Sequence, residues 1–393
     1  MLTLPNEDNH KETPALTTNP RLRVRTGATV LSGEREAVRD LFDQVNQQDM
    51  EAVIFFCSSR YDLDLLGKEM KNQFPCPLIG CTTAGEISSG GYQEGGMVGV
   101  SLSSAELKLH SRLISSLELF DHAEAQMLAD SIRDELSLSD SIEKGRHFGF
   151  LLIDGMSKQE EQIVATLFNQ FEGISIAGGS AGDDLRFAET KIYSDGRFLS
   201  GAALFTLFET TLPFLVFQTQ HFRPTDKKLV ITGADPSRRI VTEINAGPAA
   251  HEYADMLGLS LKDLGPAVFS TYPLMLKICD RWYVRSIQKA NEDGSLSFYC
   301  AIDVGLVLTL ARGEDLVSQL KDELDDISRK ISDVELVIGC DCILRKLEIA
   351  EKGLIGAVEN LLGKFNFIGF STYGEQFNSI HVNQTLTGVV IGG

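Results

Sequence analysis

The sequence predicts an α/β protein, with α+β as the alternative, built on an internal repeat. Three observations carry this. Apolar runs of strand length alternate with amphipathic helical stretches along the chain. Three of those runs end in Gly/Ser/Thr-rich turns of one form. The composition is that of an ordinary globular chain, 43% hydrophobic and 23% charged over 393 residues, which excludes collagen-like, coiled-coil and wholly disordered architectures. The length allows two or three domains, each able to bury a core.

Residues 1–20 are polar, hold Pro5, Pro14 and Pro20, and read as a disordered tail. The first repeat opens with the strand AVIFFCSS (52–59). It continues through a helix over 63–74, the strand and turn PLIGCTTAGEI (77–87), and the return strand MVGVSL (97–102). The second opens with HFGFLLIDG (147–155) and passes through the helix EEQIVATLFNQF (160–171). It then reaches ISIAGGSAGDD (174–184) and returns with GAALFTLF. Between the second and third copies the rhythm changes. FLVFQTQHF, KKLVITGAD and RRIVTEI (238–244) read as strands, and Gly247-Pro248 starts a short helix that Gly258 stops. Residues 282–287 and 295–302 alternate around Glu292-Asp293-Gly294, a hairpin signal. A helix over 315–331 leads to the third copy: VELVIGCDC (334–342), a helix over 346–362, NFIGFSTYGEQF (366–377) and the return TGVVIG. A division into domains 21–212 and 213–393 follows, with the third copy in the latter.

Laid over each other, the turns share a hydroxyl residue (Thr83, Ser180, Thr372), one variable residue, a glycine and an acid (Glu86, Asp183, Glu375). A glycine there permits positive φ or close backbone approach, and the plain reading is a tight turn capped by its own side chains.

The chemistry is bounded mainly by what is missing. Asp and Glu number 55 against 36 Lys and Arg, a net charge of −19, which repels phosphate backbones and anionic lipid and argues against nucleic-acid and membrane partners. The longest apolar stretch, 202–217, is interrupted by Glu209 and Pro213. The first ten residues lack the pattern of a secretory signal. Seven cysteines, an odd number set mostly in apolar runs, suit reduced thiols in the cytoplasm. No phosphate-binding loop, zincin helix, nucleophile elbow or dinucleotide fingerprint is found, and Cys340-Asp341-Cys342 has the wrong spacing for a metal clip. No nucleophile or base pairs with Glu86, Asp183 or Glu375, so no enzyme is expected.

Among the histidines, His122 and His147 are expected at the surface, and His110 could lie either way. Period 2 places His221 on the face of Leu215, Phe217 and Thr219. It could be a satisfied core histidine or an axial ligand within an apolar wall. His381, beside the third turn, suits a polar hydrogen-bonding role in a small-molecule pocket or in the core.

PLIGCTTAGEI, IAGGSAGDD and above all GFSTYGEQFNSIHVNQTLTGVVIG resemble the signatures of the FIST family, bacterial sensory-input proteins with N- and C-terminal FIST regions. The resemblance spans roughly residues 21–393. It implies two FIST domains and the sensing of a small ligand, with amino acids suggested for many members. The chain also resembles the stand-alone members that bind haem b and sense nitric oxide. It looks like a whole FIST unit without a fused output domain, carries Tyr61-Asp62-Leu63-Asp64 after its first strand, and has Gln218-Thr219-Gln220-His221-Phe222-Arg223-Pro224. That resemblance implies His221 as ligand to the haem iron, with Phe217 and Phe222 as apolar cover, and either Arg223 or Arg238 could pair with a propionate. It implies a histidine kinase, or a diguanylate cyclase or phosphodiesterase of cyclic-di-GMP signalling, as partner. The alternative is a haem-free sensor whose small polar ligand lies near Thr83, Glu86, Ser180, Asp183, Thr372, Glu375 and His381. Self-association into a homodimer stays open.

Overall fold

The strand Ala52–Ser58 is buried at every position, so both of its faces meet protein. Val53, Phe55 and Cys57 pack under helices, while Ile54 and Phe56 face the other way into a cluster shared with the rest of the chain. A strand covered on both faces reads as a continuous apolar run, and the same holds for His147–Ile153 and for most of Val334–Cys342. The computed structural model describes residues 21–136, 141–171 and 173–393. The tail expected over 1–20 lies outside them.

The three repeats are present, and each begins one strand and one helix earlier than the sequence pattern suggests. In the first unit, Arg23–Thr29 and the helix Glu34–Val45 precede Ala52–Ser58, and the four strands lie in the order Arg23–Thr29, Met97–Ser103, Ala52–Ser58, Leu78–Thr83. The last pair is parallel and the others antiparallel. The second unit repeats this order with Leu107–Ile114, Ala203–Thr210, His147–Ile153 and Ile176–Ser180. The third repeats it with Phe214–Thr219, Leu386–Gly392, Val334–Cys342 and Phe367–Thr372. The first leading strand escapes the pattern because it is partly exposed and rich in charge, RVRTGAT, whereas the third lies in the run FLVFQTQHF that already reads as a strand. The single helix expected over 346–362 is two, Ile343–Glu351 and Ile355–Leu362, separated at Gly353 with φ +67°.

Each unit gives its hairpin to a neighbour. Glu86–Ser88 of the first unit pairs with Phe367–Thr372 of the third. Glu375–Phe377 of the third pairs with Ile176–Ser180 of the second. Ile192–Ser194 of the second pairs with Leu78–Thr83 of the first, which closes the ring. Three six-stranded sheets result, each finished by another unit's chain. Their inner faces meet in one cluster that includes Ile54, Phe56 and Val98, Phe148, Phe150 and Phe208, and Ile338, Phe370 and Val389. Phe56 and Phe370 stack across it at 4.4 Å. Burial of each such side chain contributes roughly 1.5–3 kcal/mol, so the three units stabilise one another.

Residues 222–313 are inserted between the leading strand and the first helix of the third unit. They form a separate antiparallel sheet whose core (Leu229, Ile231, Val241, Ile244, Leu296, Leu308) is drawn wholly from within the insertion. The run FLVFQTQHF is therefore divided. One strand ends at Thr219 and the next begins at Phe222, with Gln220 and His221 at the crossing between sheets. The alternation that placed His221 on a face with Phe217 stops there.

Candidate functional site

The first and third turns are built alike. Thr83 donates its hydroxyl to Glu86 Oε1 at 2.6 Å, and the Gly96 amide donates to Oε2 at 3.1 Å. Thr372 donates likewise to Glu375, whose Oε2 accepts from the Thr385 amide at 3.2 Å and hydroxyl at 2.8 Å. Both acids are fully buried, and burial raises the Glu86 carboxyl to about 7 and that of Glu375 to about 8 despite these donors. The Glu side chains tie the start of each exchanged hairpin to the start of its return strand.

The second turn is built differently. Asp183 is too short for that tie and accepts instead from the amides of Phe187, Ala188 and Glu189 at 2.8, 2.7 and 2.9 Å, and from the Tyr373 hydroxyl. Burial alone would raise its carboxyl, but these donors outweigh it and hold it below the usual range. Ser180 does not bond Asp183; its Oγ lies 2.9 Å from Gln376 Nε2, which donates to it. The glycines also differ. Gly85 has φ +125°, whereas Gly182 and Gly374 are needed for close approach. A Cβ on Gly182 would stand 2.5 Å from the Ala84 nitrogen, and one on Gly374 2.2 Å from His381 Cε1.

His381 opens the most polar part of the interior. In every unit the helix after the central strand packs on the far strand of the borrowed hairpin: Leu63–Gln73 on Arg197–Leu199, Ile355–Leu362 on Gly91–Gln93, and Glu160–Gln170 on Ile380–Val382. Among the described residues, only at the last junction does the inserted sheet also close over helix and hairpin, through Arg239 on the helix and Arg285 on the hairpin. Arg239 donates to Glu160 and Glu161 at 2.6 and 2.8 Å, and Arg285 donates to the His381 carbonyl at 3.0 Å. Ser286 donates to Gln384, which in turn donates to the Ser270 carbonyl. Burial pushes the His381 imidazole down to about 4, with Arg239 and Arg285 adding to the effect against Glu161. The ring is neutral at pH 7. Gln376 Nε2 lies 3.3 Å from its Nδ1.

Among the described residues, His381 Nε2 has no hydrogen-bond partner. Neither do Gln376 Oε1, Arg285 Nε, or either side-chain atom of Asn383, all of them buried. An unmade hydrogen bond on a buried polar atom costs about 1–3 kcal/mol, and five such atoms lie around one hairpin. They offer donors and acceptors together. The sequence pointed to His381 but missed Gln376, Asn383, Arg285 and the Glu160–Glu161–Arg239 cluster. Only the Asn383-Gln384 pair, polar within an apolar stretch, signalled them.

The other candidates lie elsewhere. His221 is buried, with Nε2 2.9 Å from Glu348 Oε1, and Lys352 donates to the same carboxylate oxygen at 2.6 Å. Its Nδ1 has no partner. Phe217 packs in a cluster with Leu320, Leu324 and Val390, and Phe222 in a different one with Met275, Val284 and Trp282. Arg223 is exposed and pairs with Glu314 at 3.0 Å. As they sit, these four residues do not fit a porphyrin, and no step is derived through haem. His147, expected at the surface, is fully buried at the end of a sheet strand, its Nδ1 2.9 Å from the Glu143 amide that donates to it. His110 is buried beside Glu209 at 3.1 Å, and His122 is exposed.

The FIST N domain pattern matches residues 51–247, and the FIST C domain pattern matches residues 249–378. The chain belongs to the FIST family. Domains of this family are signal-transduction sensor domains. No curated protein matches the chain in sequence. In this FIST protein the two matches meet inside the inserted sheet, just before the helix Ala249–Leu257, and together they cover the first two exchanged hairpins and the first strand, Glu375–Phe377, of the third. Among the described residues no helix is long and apolar enough to cross a membrane.

Proposed function

We propose that this FIST protein is a sensor that binds a small polar ligand in the polar core between the helix Glu160–Gln170, the hairpin 375–382 and the inserted sheet. Its ligand state would be read by a separate signalling enzyme, a histidine kinase or a cyclase or phosphodiesterase of cyclic-di-GMP. The observation that carries this is the group of unpartnered buried atoms on Gln376, His381, Asn383 and Arg285. A guest bearing both an acceptor for Arg285 and Asn383 and a donor for Gln376 would complete them, as an amino acid does. Glu86 and Glu375 are committed to holding hairpins, which favours a structural role for them over catalysis. The acidic surface favours a protein partner over nucleic acid.

Thermal melting with single amino acids and small carboxylates tests the reading. A ligand at 100 times its Kd should add about 2.7 kcal/mol of stability. Asn383→Leu should abolish that gain while melting without ligand at or above the wild-type temperature, since two orphaned polar atoms are removed. If no such compound shifts the wild-type melt, the polar core is not a ligand site for this class.

Haem-based sensing of nitric oxide at His221 is the second reading; it requires Phe217, Phe222 and Arg223 to rearrange around a porphyrin, and the unpartnered Nδ1 of that buried ring favours it. A visible absorption spectrum of protein incubated with haem separates the two. A Soret band lost in His221→Ala but kept in His381→Ala supports the haem reading, and no band in the wild type ends it.

A further inference from the structure

The insertion 222–313 differs from the rest of the molecule in how it is held. Its apolar core is its own, and the three sheets of the body share another. Where the two meet across the hairpin 375–382, the contacts are mainly polar: Arg239 with Glu160 and Glu161, the Ala301 amide with Glu161, Arg285 with the His381 carbonyl, and Ser286 and Ser270 with Gln384. Apolar contact is also present, Tyr283 and Ile278 against Phe377, Ile380 and Val382, and Tyr299 against Tyr373 and Phe187, but it forms two patches and no continuous core. Units with separate cores and a polar interface are those that move relative to one another.

The tether suits such movement. The chain enters the insertion at Gln220–Phe222 and leaves it at Gly313–Asp315, and these two crossings lie side by side. The Glu314 amide donates to the His221 carbonyl at 2.7 Å, Phe222 pairs with Gly313, and Arg223 with Glu314. The two covalent crossings between insertion and body thus lie along one narrow line. His221 stands on that line and reaches across it to Glu348, at the end of the body helix Ile343–Glu351. Among the described residues Glu348 Oε2, His221 Nδ1 and Gln220 Oε1 have no partners, so the hinge is under-bonded as well as narrow.

We infer that the inserted sheet is the moving part of the sensor, a cover that swings about the paired crossings at His221 and Glu314 and closes over the polar core, clasped by Arg239 on Glu160 and Glu161. This rests on the proposed ligand site for its meaning in sensing. A ligand seated among Arg285, His381 and Asn383 would touch cover and body at once and favour the closed form, and the pair His221–Glu348 would pass the change in angle to the helix Ile343–Glu351. His221 is then a positioning residue for the cover.

The mechanical claim is tested without ligand. Cys279 is exposed at the tip of the hairpin between Leu274–Ile278 and Arg281–Arg285, so it takes a spin label on the cover. A second label goes at Glu124→Cys on the exposed face of the helix His122–Arg133, with Cys76→Ser to remove the half-buried thiol. In this background Glu161→Gln and Arg239→Lys weaken the clasp conservatively, and Arg239→Ala removes it. Each should add a longer-distance population to the pulsed-EPR distribution and speed amide exchange at 381–383 by roughly tenfold or more. Glu348→Gln should broaden the distribution while leaving exchange at the clasp within the wild-type range. An unchanged distance distribution and unchanged exchange in the folded clasp variants would overturn the inference, even if ligands bind. If the cover opens as expected while no ligand shifts the wild-type melt, the hinge stands and the ligand reading falls.

Discussion

Valine in place of Gly182 is expected to cost about 3 kcal/mol or more, at the upper end of overpacking penalties. The obstacle is backbone. The new Cβ would lie 2.5 Å from the Ala84 nitrogen and 2.7 Å from the Thr83 carbonyl carbon, and neither atom can rotate away as a side chain could. The Gly182 amide donates to the Thr82 carbonyl and the Asp184 amide to the Thr83 carbonyl, so the displaced segment is where the second unit rests on the first. Ala84 in turn donates to the Ser371 carbonyl of the third unit. A shift at Gly182 therefore reaches all three sheets. Gly145→Ala is the control, because no atom stands within 4 Å of its Cβ. Calorimetric melting should place Gly182→Val far below the wild type and Gly145→Ala close to it. Equal melting of the two would remove the close-packing account of the turn.

The architecture was legible wherever burial on both faces turned a strand into an unbroken apolar run. AVIFFCS, HFGFLLI and VELVIGC announce the central strands, and the glycine turns after them announce a repeat. The leading strand Arg23–Thr29 was not legible, since it alternates arginine with small residues and looks like surface. The hairpin exchange could not be read, because pairing between distant segments leaves no local trace in composition. The site was half legible for the same reason. His381 and Glu375 lie in a recognisable stretch, but the groups that complete their surroundings come from the second unit (Glu160, Glu161) and from the insertion (Arg239, Arg285). The misplacement of His221 has a local cause. Alternation is a valid guide only while the chain stays in one sheet, and it leaves its sheet at Thr219.

Glu375→Gln is expected to flatten the fall of stability with rising pH, and the sign follows from burial. In the folded protein burial raises the Glu375 carboxyl to about 8 from its ordinary value of 4.5. Between those two values the folded state holds a proton that the unfolded chain has released, so stability decreases as pH rises. The contribution is full below pH 4.5 and is lost as the pH passes through 8. Its size is on the order of 4 kcal/mol for a fully buried group shifted this far. Glu86, raised to about 7, acts in the same direction with a narrower window. Glutamine keeps the shape and has no charge to desolvate. Its carbonyl can accept from Thr385, and its amide can donate to a rotated Thr372 hydroxyl. Melting at pH 5.5 and at pH 8.5 should show the wild type losing more stability than Glu375→Gln, with the variant the more stable of the two at pH 8.5. Taking the difference between variant and wild type cancels groups that titrate alike in both. If the wild type and the variant fall in parallel, Glu375 does not titrate in this window. If the variant is the weaker at both pH values by the same amount, the tie from Glu375 to Thr385 depends on a charged carboxylate, and burial does not govern its protonation.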